Sequence, residues 1–316
     1  MVSVNMNEFL SLIIVGYYDD YIKSIRNTRQ KIKNSLMTLE VSDKERESII
    51  DSIMNAVGDQ STHFHRSDKS KQLSLKPTNI THCILKRIDK EMGASISKSR
   101  YLSRMLISYC SYPISKREQL VFNDQYNKIQ TWCKNRTAFS FEVYDSNKTH
   151  MVIPFKVCVG AGEMFNYLLC AEVHGDNEVQ VARSFRINRM MCLYEEARNY
   201  DINKNVLNHL ELMSYYGPQY NINSDKEYCV KLTTKGEKSF RRIYWGRPKV
   251  DRIVQKDPKD PYKFYYFKGS EDQLFLYFKR FGEDVEIISP ESLRNTIKSF
   301  HSKAANVYVD DSINEV

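Results

Sequence analysis

The chain has little of what builds stapled, membrane-spanning or nucleotide-cradling proteins. Its seven cysteines, at positions 83, 110, 133, 158, 170, 192 and 229 of 316, are dispersed, and none forms a C-x-x-C pair. An odd, scattered set argues against a complete disulfide framework and fits a reducing compartment, so a cytoplasmic protein is expected. Long hydrophobic runs are missing as well. The longest largely apolar stretch, residues 9–18, spans ten residues, against the roughly 20 needed to cross a bilayer. No basic segment precedes it and no small-residue cleavage site follows, so neither a membrane span nor a signal peptide is expected. The sequence contains no G-x-G-x-x-G, G-K-[ST], H-E-x-x-H or G-x-S-x-G, which removes the common phosphate loops, zinc proteases and nucleophile elbows. Gly160-Ala161-Gly162 is too short to cradle phosphates. His63 and His65 have no further ligands nearby. The seven histidines show no pattern of acid partners, so the expectation is a protein that is not an enzyme and holds no metal or cofactor.

What the chain does have is unevenly placed positive charge. The net charge is +8 overall. Residues 68–136 carry 14 Lys and Arg against 5 Asp and Glu, a local balance of +9 that leaves about −1 for the rest. A basic excess confined to one stretch is the footprint of a polyanion partner, with nucleic acid the default and a solvated basic face the alternative.

Residues 1–66 read as amino-terminal helices and a linker. Phe9, Leu10, Ile13, Ile14, Tyr17, Tyr21, Ile25 and Ile32 recur at helical spacing. Ser42-Asp43-Lys44-Glu45 has the form of a capping box opening a second helix that runs to Gly58. Residues 67–125 begin with a strand at 71–76, in which Leu73 and Leu75 point inward and Gln72, Ser74 and Lys76 outward. Pro77 ends it, Thr78 or Asn79 caps a helix, and Ser95 or Ser97 caps a second. Strand, helix and helix resemble a ribbon-helix-helix unit. The lone strand has no partner of its own, so a second copy is expected to pair with it and the protein to be a homodimer. Lys71, Gln72, Ser74 and Lys76 are candidate groove readers. Ser97, Lys98 and Arg100 form a candidate phosphate clamp, although Ser-Lys-Ser is also good capping. Tyr101, Tyr109 and Tyr112 are candidate base-stacking residues or core.

In residues 126–201 a helix-like run from Tyr126 through Ile129 and Trp132 leads into strand-like segments at 138–143, 151–157 and 165–173. Tyr167 to Leu169 sit in one, Gly175-Asp176-Asn177 supply a turn, and Val179 and Val181 alternate with polar residues as in a half-buried strand. Arg183, Arg186 and Arg189 then recur every third residue around Phe185 and Ile187. Such a cluster repels itself unless it meets an anion or internal acids such as Glu195 and Glu196. In residues 202–316, Tyr228 to Leu232 opens an α/β unit. Ser270-Glu271-Asp272-Gln273 reads as a capping box, and Lys231, Lys235, Lys238, Arg241, Arg242, Arg247 and Lys249 form a second basic stretch.

Tyr167-Leu168 followed by Phe185-Arg186-Ile187-Asn188-Arg189 resembles the WYL domain, a small Sm/SH3-like β-barrel of bacterial regulators. The family's tryptophan, aspartate and arginine positions fall on Asn166, Asn188 and His150. The resemblance implies an α+β protein. Its parts are amino-terminal helices (1–66), a ribbon-helix-helix-like unit (67–125), a WYL barrel (126–201) and a ferredoxin-like carboxy-terminal extension used in dimerisation (202–316). It also implies that Tyr167, Arg183, Arg186 and Arg189 bind nucleic acid or a charged ligand; Arg183 is expected to be secondary, because its neighbour Ser184 shifts it toward the turn end of the strand. The domain order resembles the WYL accessory proteins of type VI-D CRISPR systems. This implies single-stranded RNA binding and stimulation of an RNA-targeting CRISPR nuclease. The competing expectation is a DNA-binding transcriptional regulator on duplex DNA, with a ligand-sensing barrel. A third is a scaffold whose basic surface meets an acidic protein.

Overall fold

The computed structural model describes residues 5–60, 75–92, 97–144, 146, 148–160, 165–175, 178–197, 200–220, 222, 226–255, 257 and 260–309. Among them the chain forms ten α-helices and nine β-strands, divided between two compact units, Met1–Asp124 and Gln125–Val316.

The first unit is helical. Helix α1 (Met6–Ser35) buries Ile13, Ile14, Tyr17, Tyr18 and Tyr21, the stripe that its apolar spacing dictates. These pack with Ile84 and Ile88 of α3 (Asn79–Met92), Met105 and Tyr109 of α4 (Lys98–Ser111), and Leu120 of α5 (Ile114–Val121). Gly16 permits the α1–α5 approach, since a Cβ there would lie 2.1 Å from the Leu120 carbonyl oxygen. Helix α2 (Asp43–Gln60) opens on the expected capping box: Glu45 N–H donates to Ser42 Oγ at 3.3 Å, and Ser42 N–H donates to Glu45 Oε2 at 3.0 Å. It continues through Gly58 instead of stopping there.

The expected strand at 71–76 is only partly visible, because Lys71, Gln72, Leu73 and Ser74 lie outside the described residues. Leu75 and Lys76 are not in a strand. The Lys76 backbone is met within its own chain: its N–H donates to Asn7 Oδ1 at 2.7 Å and its carbonyl accepts from Asn7 Nδ2 at 3.0 Å. At Lys76 the premise of an unsatisfied strand edge therefore fails, because a side-chain amide does the work of a partner strand. Tyr101 and Tyr109 are 9% and 5% exposed. Both belong to the core rather than to a stacking surface, with rings packed near Tyr21 and Tyr17.

The second unit opens with α6 (Asn123–Asn135) and holds two antiparallel sheets. The first has the order β4-β3-β2-β1-β5, from β1 (Phe139–Val143), β2 (Thr149–Cys158), β3 (Tyr167–His174), β4 (Val179–Arg186) and β5 (Met190–Glu195). No closed barrel forms among the described residues. A 3-10 turn at Ile187–Arg189 separates β4 from β5, and β5 pairs with β1. The inner strand β2 tolerates Pro154 because the register shifts there, as at a bulge, and the freed carbonyl accepts from Arg136 Nη1 at 3.2 Å. One face of this sheet buries Phe139, Phe141, Leu168 and Cys170 against Ile129 and Trp132 of α6. The other meets α7 (Lys204–Tyr216) through Leu169, Leu210 and Met213. The alternation expected around Val179 and Val181 holds with the opposite sense. Both valines are exposed, while the Gln180 amide on the other face bonds Asp201 O and Asn203 N–H at 2.8 Å each, at the entry to α7.

The second sheet has the order β7-β8-β6-β9. It is threaded β-α-β-β-α-β through β6 (Tyr228–Leu232), α8 (Thr234–Arg242), β7 (Val250–Val254), β8 (Lys263–Phe267), α9 (Glu271–Phe278) and β9 (Val285–Ser289), and α10 (Glu291–Val309) follows. Its core is aromatic: Tyr228, Phe240, Tyr265, Phe267, Tyr277 and Phe278. The capping box expected at Ser270 does not form, since the Ser270 side chain makes no cap bond. Gln273 instead donates Nε2–H to Gly246 O at 3.4 Å.

Candidate nucleic-acid interface

The β3–β4 hairpin places the arginines. Its register pairs Tyr167 with Arg186, Leu168 with Phe185 and Cys170 with Arg183. Side chains alternate between faces along a strand, so Arg183 and Arg186, three residues apart, point to opposite sides. Arg183 goes to the face of Leu168 and Cys170, and Arg186 to the face of Tyr167 and Ser184. The third arginine, Arg189, sits on the 3-10 turn. That turn is held by Gln125 at the start of α6, whose Nε2 donates to Ile187 O at 2.8 Å and Met190 O at 2.9 Å. The buried Asn166 braces it from the other side, its carbonyl accepting from Ile187 N–H at 3.0 Å. Sequence reasoning missed Gln125, because nothing in its local pattern distinguishes it from an ordinary polar helix residue.

Tyr167, Ser184, Phe185, Arg186 and Arg189, with Val143 and Gln219, line a pocket of about 350 Å³. The Arg186 guanidinium lies 4.2 Å from the Phe165 ring centre and 5.8 Å from that of Tyr167, so aromatic faces hold it flat. Neither Arg186 nor Arg189 forms an ion pair among the described residues. Ser184 Oγ is buried without a hydrogen-bond partner among them. Two uncompensated guanidinium groups, a hydroxyl and an aromatic wall suit a phosphate or carboxylate with a flat ring attached.

Arg183 belongs elsewhere. Its Nε lies 3.2 Å from Glu172 Oε2, which His174 Nε2 also meets at 3.1 Å, while His150 Nδ1 approaches Glu172 Oε1 at 2.6 Å. The expected pairing with internal acids is thus realised for Arg183, through Glu172 rather than Glu195 or Glu196. Glu195 accepts from Trp132 Nε1 at 3.1 Å. Burial pushes the Glu172 carboxyl up, yet the His150 hydrogen bond and the charges of His174, His150 and Arg183 together leave it below the ordinary carboxylate value. His150, at the position where a WYL arginine is expected, is tied into this cluster and stacks on Phe141 at 5.6 Å. Nearby thiols are inert by the same burial: Cys133 is pushed up to about 12, and Cys170 well above its ordinary value.

The described helix-start candidates of the first unit have local partners. Ser97 Oγ caps α4 by accepting from Arg100 N–H at 3.3 Å, and Lys98 Nζ pairs with Asp89 at 2.8 Å. Arg100 has a partner of its own. Ser97 thus serves as a helix cap and Lys98 has a local ion partner. Instead, Lys23, Lys31 and Lys116 converge with Asn27 and Asp20 on a hollow of about 320 Å³ beside α1 and α5. The helical pattern alone did not single out that convergence, since it joins residues some ninety positions apart. No cluster of three or more potential metal ligands occurs among the described residues, and none of their helices is long and apolar enough to cross a membrane.

No family model matches this chain, and no curated protein matches it in sequence. A proteasome accessory factor B/C (PafBC) structure from Arthrobacter aurescens aligns over 72% of this chain and 35% of that one, at 16% identity and a TM-score of 0.29, too low to carry an argument. A crystal structure described as that of a CRISPR Cas-related protein aligns over 98% of this chain and 88% of that one, with 19% identity and a TM-score of 0.63. Across nearly its whole length, this chain shares the fold of that CRISPR Cas-related protein.

Proposed function

We propose that this chain is a non-enzymatic accessory protein that binds single-stranded RNA at the Tyr167–Arg186–Arg189 pocket and stimulates a type VI-D CRISPR RNA-targeting nuclease. The observation that carries the proposal is the pair of guanidinium groups opening on one pocket with no acid partner among the described residues, beside an aromatic wall and a buried hydroxyl that has no partner among them. A guanidinium takes phosphate oxygens, while Tyr167, 4% exposed, is packed into the pocket wall. The shared fold with a CRISPR Cas-related protein suits this reading. On it, the five-stranded layer is a WYL unit of Sm/SH3-like kind. The β-α-β-β-α-β layer is its ferredoxin-like extension, through which two copies associate. The size of the pocket, about 350 Å³, favours a second reading, a ligand-sensing DNA-binding regulator, because small-molecule sites are of this size.

A competition titration separates the two. Labelled single-stranded RNA is displaced by unlabelled single-stranded RNA or by duplex DNA, for the wild type and for Arg186→Ala. The RNA reading expects duplex DNA to compete poorly, and Arg186→Ala to weaken RNA binding with an unchanged melting temperature. One tight palindromic duplex site recovered from a random-sequence selection would overturn it in favour of the regulator.

A further inference from the structure

We infer that the loop after α8 is a second contact for single-stranded nucleic acid, with Trp245 and Tyr244 as its base-stacking residues. The inference rests on the nucleic-acid reading above but uses a different surface. The run Arg241-Arg242-Ile243-Tyr244-Trp245-Gly246-Arg247-Pro248-Lys249 holds four cations and no acid. Tyr244 and Trp245 are 68% and 52% exposed, although both are large aromatics. Of the two tryptophans in the chain, Trp132 is 9% exposed, so Trp245 is the one that solvent reaches.

The loop is built to hold them outward. Arg247 N–H donates to Tyr244 O at 3.3 Å, closing a four-residue turn with Gly246 at its third position. Gly246 has φ +67°, the left-handed backbone that a type II turn needs there and that glycine adopts without strain. Groups from beneath pin the turn. Tyr277, 1% exposed, donates its hydroxyl to Ile243 O at 2.6 Å, and Gln273 donates to Gly246 O at 3.4 Å. The Arg247 guanidinium reaches back to Phe240 O and Arg241 O at 3.3 Å each, fastening the last turn of α8. Gln273 takes this role in place of the capping box its sequence position implies. With the loop backbone fixed and the rings exposed, a base stacking on Trp245 need not order that backbone, which lowers the cost of binding.

The surrounding charge selects the occupant. Arg241 is paired with Glu237 at 2.6 Å, but Arg242 and Lys249 meet no acid among the described residues. Lys249 Nζ lies 3.0 Å from the ring centre of the exposed Tyr215. Aromatic faces interleaved with uncompensated cations match a single strand, whose unpaired bases stack while its phosphates meet the cations. A duplex keeps its base faces covered.

The test uses the full chain and oligouridine. Trp245 emission is followed during titration in the wild type and in Trp245→Phe, and affinity by anisotropy in the wild type, Tyr244→Ala/Trp245→Ala and Arg186→Ala/Arg189→Ala. Both aromatics are exposed, so the loop variants keep the fold. The inference expects quenching in the wild type that is lost in Trp245→Phe, and at least about tenfold weaker binding in the double aromatic variant. It also expects residual quenching when the pocket arginines are removed. RNA binding without Trp245 quenching and without an affinity loss would overturn the loop site and leave the pocket reading standing. Absence of any RNA binding at low salt would overturn both. Trp245 emission that changes with protein concentration alone, together with a double aromatic variant that turns a dimer into a monomer, would overturn the inference and make the loop a subunit contact.

Discussion

Replacing Glu172 by glutamine probes the polar joint under the β3–β4 hairpin. The residue is 5% exposed and receives His150, His174 and Arg183. Glutamine keeps the shape and one acceptor but removes the charge and turns an amide donor toward groups that are themselves donors. The outer contacts matter little, because the side chains of His174 and Arg183 are 48% and 55% exposed, and such pairs are worth about 0–1 kcal/mol. The inner contact matters more. The His150 side chain is 17% exposed, and its Nδ1–H donates to the carboxylate whether or not the ring is charged. A hydrogen bond to a charged group contributes about 1.5–3 kcal/mol, so Glu172→Gln should cost on the order of 2–3 kcal/mol at neutral pH. For a unit of this size each kcal/mol moves the melting temperature by about 2–4 °C, which gives a drop of roughly 4–12 °C. The pH dependence has a definite sign. The folded carboxyl lies below its ordinary value of 4.5, so its contribution is complete above that value and is lost as pH falls through the lower folded one. Thermal unfolding by circular dichroism at neutral and acid pH reads both effects. A variant that melts within about 1 °C of the wild type at neutral pH, or a gap that widens on acidification, would refute the reasoning.

Binding of single-stranded RNA should be sequence-tolerant and weaken with salt, with a log–log slope of roughly −0.7 per phosphate contact; an affinity flat from low to moderate salt contradicts it. Gly16→Ala should destabilise the first unit by about 1–3 kcal/mol through overpacking, because the new methyl meets the Leu120 carbonyl at 2.1 Å; denaturant unfolding with an unchanged midpoint would show that the helices yield at no cost. Light scattering at micromolar concentration should report a dimer, and a mass of 37.2 kDa would remove dimerisation from the proposal.

Much of the layout was legible in the residues, because it rests on local rules. The apolar stripe of α1, the Ser42–Glu45 capping box and the strands on either side of Gly175 follow from periodicity and turn chemistry, which act over a few positions. The charge excess in residues 68–136 and the triplet Arg183, Arg186 and Arg189 are plain from composition and spacing. Tertiary structure decided which of these groups are free to act. The sequence reading makes Arg183 secondary to Arg186, and strand parity supplies the decisive reason, sending one to Glu172 and the other to an open pocket. Gln273 reads as a capping residue, but the α8 loop lies within its reach and takes the bond. Lys76 reads as part of an unpaired strand, but Asn7, sixty-nine positions away, satisfies its backbone. In each case the residue type determines what bonds are possible, and a partner distant in sequence determines which one forms, because a hydrogen bond or ion pair is decided by proximity in space that no local pattern encodes.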